Sequence, residues 1–357
     1  MAGPEDIIRE EVLGMSAYPV PSAAGLIKLD AMENPYRLPE SLQREIAEVV
    51  ATAEFNRYPD PTAPLLKARL RQVMRIPDGF DIILGNGSDE IISIVIQAAA
   101  RPGAVVIAPG PTFVMYQVSS LTARARYESV ALEDDFTLNL PRFLDAIERH
   151  RPAVVFISYP NNPTGNLFAD RDIEEIVSRA PGLVVLDEAY HVFAGRTFMD
   201  RLAEFPNLMV MRTVSKLGLA GLRLGYAAAA PRWVREFDKI RPPYNVGVIT
   251  QLVAERVLAR HDLLEEQAVK IRAERTRLQQ RLAAMPEVTP YPSEANFVLV
   301  RVPDSPRVFD SMKRHGVLVK DMQGSHPLLA NCVRFTIGTP EENESLFEAL
   351  HGAMQAL

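Results

Sequence analysis

The hydrophobic pattern divides the chain into regions of different character. From residue 81 to about residue 227, short runs that are apolar at every position alternate with amphipathic segments. Strands that are apolar throughout are covered on both faces, and their alternation with helices favours an α/β fold with a largely parallel sheet. The direction of one or two strands stays open. The apolar runs are 82–84, 104–107, 154–157, 183–186, 208–211 and 224–227, and helical segments between them include 88–100, 141–150 and 170–180.

The segments on either side of this region have other patterns. Residues 1–35 are rich in proline and predict an extended arm, which must pack on another domain or on a second subunit. We predict that the arm belongs to a small domain, that residues 36–245 form a large domain, and that residues 246–357 form an α+β unit. The elements predicted outside the central region are a strand at 26–29, helices at 41–50 (capped by Ser41), 62–74, 248–284, 306–315 and from 341, and strands at 297–302, 317–320 and 333–337.

Composition narrows the possible functions. The 357 residues carry a net charge of −6, and the basic residues are dispersed, unlike the basic footprint of a nucleic-acid-binding protein. The single cysteine, Cys332, excludes a disulfide within the chain and fits a cytosolic protein. We expect no signal peptide, no membrane span and no metal site, because apolar runs are short and the six histidines are scattered.

Polar clusters directly follow four of the predicted strands. In an open parallel sheet, ligands bind beyond the carboxyl ends of the strands, so the clusters are expected to meet in space. They comprise residues 85–90, 158–165, 187–190 and 213–226.

Three of these clusters contain residues suited to a phosphorylated aromatic ligand. Lys216 lies among small residues with Arg223 nearby, which suits a Schiff-base lysine beside a phosphate, although a lysine in a glycine-rich loop is the alternative. Asp187 follows four apolar residues and needs a partner, either a protonated heterocyclic nitrogen or a structural cation. Ser88 begins a helix whose free N–H groups favour phosphate, unless it is an ordinary capped helix.

Read together, these motifs resemble a known family. The chain contains Asn-Asn-Pro-Thr-Gly at 161–165, Asp-Glu-Ala-Tyr at 187–190, and Ser-Lys at 215–216 followed by Gly-Leu-Ala-Gly-Leu-Arg-Leu-Gly-Tyr at 218–226. Their order is similar to that of the pyridoxal-phosphate enzymes with the aspartate-aminotransferase-type fold. Additional segments at 29–35, 58–60, 85–90, 111–113 and 333–339 make the chain most similar to the histidinol-phosphate aminotransferase family, over nearly its whole length.

The resemblance implies a role for each matching residue. Lys216 would carry pyridoxal 5′-phosphate and move the reacting proton, and Asp187 would keep the ring nitrogen protonated. Phe113 would stack on the ring, where relatives often have tyrosine. The phenolic oxygen of the ring would contact Asn162 and Tyr190, and the cofactor phosphate would contact Ser88, Asp89, Ser215, Arg223 and, from a neighbouring subunit, Tyr58. The last contact implies a homodimer.

Recognition of the substrate is less constrained by the resemblance. Arg334 would bind the anionic group of each substrate, and Lys320 stands where some relatives have arginine. Asn34 and Tyr18 are further candidates for the substrate pocket, with simple packing as the alternative for Tyr18. Many relatives have asparagine where this chain has Met32.

The resemblance implies transamination between L-histidinol phosphate and 2-oxoglutarate, which yields imidazole acetol phosphate and L-glutamate, in histidine biosynthesis. Three alternatives stay open: an aromatic amino-acid aminotransferase, a decarboxylase of threonine phosphate, and a ligand sensor built on the same fold. Small-molecule substrates, rather than nucleic acids or membranes, are the expected partners.

Overall fold

The computed structural model describes residues 3–17 and 19–357. These residues contain fourteen α-helices and thirteen strands, joined in places by short 3-10 helices. The helices are α1 (Pro4–Ile7), α2 (Glu10–Leu13), α3 (Glu40–Ala51), α4 (Pro64–Val73), α5 (Ser88–Ala99), α6 (Met115–Thr122), α7 (Leu140–His150), α8 (Asp170–Arg179), α9 (His191–Ala194), α10 (Pro231–Asp238), α11 (Val248–Leu258), α12 (His261–Ala283), α13 (Ser305–Arg314) and α14 (Pro340–Gln355). The strands are β1 (Ile27–Lys28), β2 (Asp81–Asn86), β3 (Val105–Gly110), β4 (Arg126–Ala131), β5 (Val154–Ser158), β6 (Leu183–Asp187), β7 (Leu208–Thr213), β8 (Leu224–Ala229), β9 (Thr289–Pro290), β10 (Phe297–Arg301), β11 (Val317–Leu318), β12 (Lys320–Asp321) and β13 (Cys332–Thr336).

The predicted α/β fold is confirmed. In the described chain, seven strands form one sheet in the order β2-β8-β7-β6-β5-β3-β4. β8 is antiparallel to both of its neighbours, and the other strands share one direction. The carboxyl ends of β2, β5, β6 and β7 therefore lie at the same edge.

Both faces of this sheet are buried, as the uninterrupted apolar runs predict. On β6, for example, Val185 faces one apolar cluster and Leu186 faces the other, and neither has measurable exposure. Alternate residues of a strand point to opposite faces, so helices must cover both sides. The sheet is the middle layer of the structure, and β5, β6 and β7 carry polar residues at their carboxyl ends: Ser158, Asp187 and Thr213.

A second, smaller sheet forms from the C-terminal part of the chain. β12, β13, β10 and β9 pair in that order and are antiparallel. β1 from the N-terminal arm pairs in parallel with β11, so the arm packs beside C-terminal elements of the same chain. The boundary near residue 245 stays a prediction.

Several local predictions were wrong or incomplete. Pro39, not Ser41, is the N-cap of α3. The predicted helix at 248–284 is two helices, because α11 packs on α3 and α4 whereas α12 packs on α9 and α14. The arm contains α1 and α2, and the strand predicted at 317–320 is split between two sheets. The edge strand β4 has no apolar run, since it alternates towards solvent, and it was missed together with α6 and α10.

None of the helices in the described residues combines the length and the apolar character needed to cross a membrane.

A buried ion pair lies under the polar edge of the sheet. The carboxylate of Glu188 accepts two hydrogen bonds from the Arg212 guanidinium, at 2.9 and 2.7 Å, and others from Thr197 and from the backbone N–H of Phe198. Glu188 and Arg212 are almost fully buried. Such a pair is costly to break on one side, because the remaining charge is left in an apolar interior.

We expect Arg212→Met to lower the free energy of unfolding by about 3–5 kcal/mol, because it leaves the buried charge of Glu188 without a partner. The matched control is Arg179→Met, which removes an exposed arginine paired with Glu175 and should cost less than about 1 kcal/mol. Urea unfolding followed by circular dichroism measures both variants. Equal losses in the two variants would contradict this assignment.

Candidate functional site

The polar clusters predicted after the strands meet at one edge of the large sheet. Ser158 at the end of β5 lies beside Asp187 at the end of β6, and Asp187 lies beside Met211 of β7. Beyond β7 the chain turns into a short 3-10 helix, Ser215–Leu217, which carries Lys216. The parallel direction of these strands thus brings residues from distant parts of the sequence together.

A cradle for an anion forms where β2 meets α5. Gly87 has a φ of +82° and precedes Ser88, the first residue of α5. A Cβ on Gly87 would lie 2.6 Å from Nη2 of Arg223, and one on Gly225 would lie 2.4 Å from the backbone N of Ser88. Glycine at both positions therefore leaves the helix N-terminus and the guanidinium open to a ligand, which suits a phosphate.

The backbone of Arg223 is itself held in an uncommon conformation. Its φ is +49°, in the left-handed region, and its Nη2 lies 3.2 Å from Oδ2 of Asp89. Strain of this kind persists where surrounding structure requires it, and it is concentrated at functional sites. Gly87, not Ser88, occupies the N-cap position, and it makes no side-chain capping bond, so the alternative of an ordinary serine-capped helix is wrong.

Lys216 is partly buried, and its amine faces inward over the ring of Tyr190. Nζ lies 5.9 Å from the centre of that ring and donates a hydrogen bond to the carbonyl of Ala31 at 3.2 Å. Loss of hydration lowers the pKa of Lys216 to about 8, and the positive charge of Arg334 contributes in the same direction. An amine with this pKa is partly neutral near pH 7, as a nucleophile or a proton acceptor must be.

Asp187 is 3 % exposed and has a hydrogen-bond donor on each oxygen. Oδ2 accepts from the hydroxyl of Tyr116 at 2.7 Å, and Oδ1 accepts from the backbone N–H of Ala189 at 3.1 Å. Burial raises the pKa of Asp187 to about 6, and the two donors oppose that rise. The ring of Phe113 packs edge-on against Tyr116, at 5.7 Å between centres.

Arg334 of β13 connects the smaller sheet to the edge of the large one. Its Nη1 donates to Oδ1 of Asn162 at 2.6 Å, and its Nη2 donates to the carbonyl of Asp30 at 3.0 Å. The guanidinium also lies 5.4 Å from the ring centre of Phe297. Lys320 is the partner of Arg334 in the register between β12 and β13. The two cations predicted to bind substrate are therefore on neighbouring strands.

The segment at 30–34 closes the site above Lys216 and Tyr190. The hydroxyl of Tyr190 donates to Sδ of Met32 at 3.3 Å, and the backbone of Met32 is left-handed, with a φ of +55°. Thr336 and Asn296 hold that backbone through its N–H and its carbonyl.

The remaining residues predicted to contact the cofactor or the substrate are in different environments. Ser215 is buried and bonds with Thr213. The amide of Asn34 bonds with Leu217 and Gln267, so it ties the arm to the lysine turn, and its substrate contact stays a prediction. Tyr58 is 81 % exposed and stacks on Tyr244 at 4.5 Å between ring centres. Tyr18 lies outside the described residues.

The sequence did not predict the contact of Tyr116 with Asp187 or the contacts made by the backbone at 30–32. A buried tyrosine requires a partner for its hydroxyl, but the sequence did not show that Tyr116 is buried. Across residues 3–17 and 19–357, there is no group of three or more metal-ligating side chains that could hold an ion.

Comparisons with known proteins show the family to which the chain belongs. The model of the family described as aminotransferase class I and II matches residues 24–350. The chain is 54 % identical to histidinol-phosphate aminotransferase 1 of Burkholderia lata, with 99 % of both chains covered. It is 53 % identical to histidinol-phosphate aminotransferase of Chromobacterium violaceum, with 97 % of both covered.

Solved structures show the same architecture. Histidinol-phosphate aminotransferase of Sinorhizobium meliloti, in complex with pyridoxal-5′-phosphate, superposes with a TM-score of 0.85 at 25 % identity and covers 98 % of both chains. The enzyme of the same name from Clostridium acetobutylicum also gives 0.85, at 22 % identity, over 93 % of this chain and 100 % of the other. The family model spans most of the sequence, and the relatives are more than half identical over nearly their full length. The chain therefore belongs to the class I and II aminotransferase family.

Proposed function

We propose that this protein uses pyridoxal 5′-phosphate to transfer the amino group of L-histidinol phosphate to 2-oxoglutarate, in histidine biosynthesis. The products are imidazole acetol phosphate and L-glutamate. The observation that carries the proposal is that an inward-facing Lys216 and a buried Asp187 meet at one sheet edge, next to an anion cradle. Relatives named for this activity, at 52–54 % identity, support the choice of substrates.

The donor groups present fit this cofactor. The N-terminus of α5 and Arg223 suit its phosphate, with Ser88, Asp89 and Ser215 beside them. Lys216 would bind the aldehyde carbon of the cofactor, and Asp187 would bind its ring nitrogen. The two residues would therefore hold the aromatic ring from opposite sides. Phe113 is the candidate for stacking, and Asn162 and Tyr190 are the candidates for the phenolic oxygen. The bound cofactor supplies an electron sink for the negative charge that develops at the substrate α-carbon.

Each residue near the ring has a defined task in this proposal. The Lys216 amine would act as the base that takes the proton from the substrate α-carbon, and it would return that proton to the carbon that carried the aldehyde. Its lowered pKa lets a useful fraction act as a base near neutral pH. Asp187, whose negative charge is stabilised by its two donors, would keep the ring nitrogen protonated and therefore electron-withdrawing. The segment at 30–34 excludes water above the amine.

Arg334 and Lys320 would recognise the anionic groups of the two substrates. One substrate carries a phosphate and the other carries carboxylates, so the pocket must accept both kinds of anion. The planar guanidinium binds either one bidentately, whereas the lysine acts as a point charge. Because Arg334 donates a hydrogen bond to Asn162, a substrate that binds Arg334 would also affect Asn162, a residue proposed to contact the cofactor ring.

We also propose a homodimer, in which Tyr58 reaches the cofactor phosphate of the partner subunit. Tyr58 is exposed, and large apolar side chains near it in the sequence, Phe55 and Leu65, are exposed as well. Exposed apolar patches mark association surfaces, and we propose that these side chains contribute to one. Location in the cytosol stays a prediction.

The function is tested by adding one amino donor at a time to the protein loaded with pyridoxal phosphate. Glutamate and histidinol phosphate should each convert the bound cofactor to its amino form, with a matching change in absorbance. Phenylalanine and threonine phosphate are the comparison donors. Conversion by phenylalanine but not by histidinol phosphate would replace the proposal by an aromatic aminotransferase. Carbon dioxide release from threonine phosphate would replace it by a decarboxylase.

The pH dependence of cofactor attachment follows from the pKa of Lys216. Only the neutral amine attacks the aldehyde, so the attachment rate of the cofactor-free protein should rise with pH through a midpoint near 8. Arg334→Gln removes a positive charge that disfavours protonated Lys216, so the midpoint should move to higher pH. Stopped-flow absorbance measures both, with Lys216→Ala as the variant that shows no attachment. An unchanged midpoint in Arg334→Gln would contradict the coupling.

Arg334→Gln should also weaken the use of both substrates, by about 10- to 100-fold in kcat/KM, because charge-assisted hydrogen bonds are lost. Steady-state kinetics with histidinol phosphate and with glutamate checks this. The matched control is Arg301→Gln on the neighbouring strand, where the guanidinium bonds with Tyr291 and the carbonyl of Leu328. A loss confined to one substrate would mean that Arg334 does not serve both.

A further inference from the structure

Tyr116 is a buried phenol beside the site that the proposed mechanism does not yet use. Its side chain has no measurable exposure, and its ring stacks on Phe156 of β5 at 4.6 Å between centres. On another side it meets the edge of Phe113. Packing against both rings restricts the Tyr116 ring and holds its hydroxyl oxygen on the side of Asp187.

The hydroxyl of Tyr116 points at Asp187. The distance from the oxygen to Oδ2 is 2.7 Å, and both groups are buried, so this is a charge-assisted hydrogen bond shielded from water. The backbone N–H of Ala189 holds the other carboxylate oxygen. Each oxygen keeps a second lone pair, so a ligand can still be bound.

The ionised state of Asp187 depends on these donors. Burial raises the pKa of Asp187, and the negative charges of Asp89 on α5 and Glu188 in the next position act in the same direction. The Tyr116 hydroxyl is the largest influence that lowers this pKa, followed by the N–H of Ala189. Without the phenol, Asp187 would be more readily protonated and would lose the charge that a pyridinium needs.

We propose that Tyr116 is a positioning residue for the cofactor ring, acting through Asp187. Its hydroxyl aims the carboxylate and keeps it ionised, and its ring supports Phe113, the residue expected to stack on the cofactor. This inference rests on the proposed function.

The experiment measures binding of pyridoxamine 5′-phosphate, which shares the ring but forms no covalent bond with Lys216. Equilibrium dialysis against the purified cofactor-free protein gives a dissociation constant at each pH. Tyr116→Phe keeps the ring and removes one oxygen, so it should weaken binding about tenfold at pH 7. Binding by the unchanged protein should weaken as the pH falls through the Asp187 pKa, and in Tyr116→Phe this decline should begin about one pH unit higher.

Tyr159→Phe is the matched control. Tyr159 is also buried, and its hydroxyl donates to a carboxylate, Oδ1 of Asp170, at 2.5 Å. Asp170 begins α8 and has no proposed role at the ring. The control should leave the dissociation constant and its pH dependence unchanged. A similar loss in both variants would assign Tyr116 a purely structural role and overturn the proposal.

A double-mutant cycle separates action through Asp187 from general packing. In an Asp187→Asn background, Tyr116→Phe should have little further effect on binding, because the charge it acts on is gone. Fully additive losses would overturn the proposal.

If Tyr116→Phe does not fold, 3-fluorotyrosine at position 116 keeps the shape and is a stronger donor. It should move the decline in binding to lower pH, and an unchanged or opposite shift would overturn the proposal. Failure of the unchanged protein to bind either pyridoxal or pyridoxamine phosphate would refute the proposed function itself. Normal binding by that protein, with no difference in Tyr116→Phe, would refute only the role of Tyr116.

Discussion

Two consecutive carboxylates, Asp187 and Glu188, impose the constraint on which the rest of the site depends. Both are buried at the end of a strand whose other residues are apolar, and burial of a carboxylate without donors is strongly unfavourable. Successive side chains of a strand face opposite ways, so the two acids need two separate sets of partners. Arg212 forms an ion pair with Glu188, whereas Tyr116 donates a hydrogen bond to Asp187 from a neutral hydroxyl.

This difference distinguishes the two acids. Glu188 has its charge matched by a guanidinium within the chain. Asp187 receives hydrogen bonds that stabilise its charge without cancelling it, and it is therefore suited to a cationic ligand. Lys216 is affected in the opposite sense, because burial and Arg334 weaken its hold on a proton. Environments that push the pKa values of two groups towards each other are characteristic of proton-transfer sites.

The sequence predicted which residues meet at the sheet edge better than it predicted what surrounds them. Lys216 and Asp187 could be found because uninterrupted apolar runs indicate parallel strands, and the geometry of a parallel sheet then brings the strand ends together. Tyr116 and the bond between Arg334 and Asn162 could not be found, since they join segments with no local relation in the sequence. The break between α11 and α12 was missed for a similar reason, because helix-favouring composition does not reveal which neighbours each half packs against. Element boundaries shifted by a residue or two where capping depended on backbone conformation, as at Pro39.

The segment at 30–34 has a consequence for the order in which the protein is made. Met32 is held by Thr336, a residue 304 positions later in the chain, and β1 pairs with β11 nearly as far away. During synthesis, the turn that carries Lys216 would leave the ribosome well before β13, the strand that holds the segment at 30–34 in place. The N-terminal arm is synthesised first, but it can pack over Lys216 only after the last strand has been made. Closing so long a loop carries an entropic cost that local contacts cannot offset. The complete pocket can therefore form only after the whole chain has been synthesised.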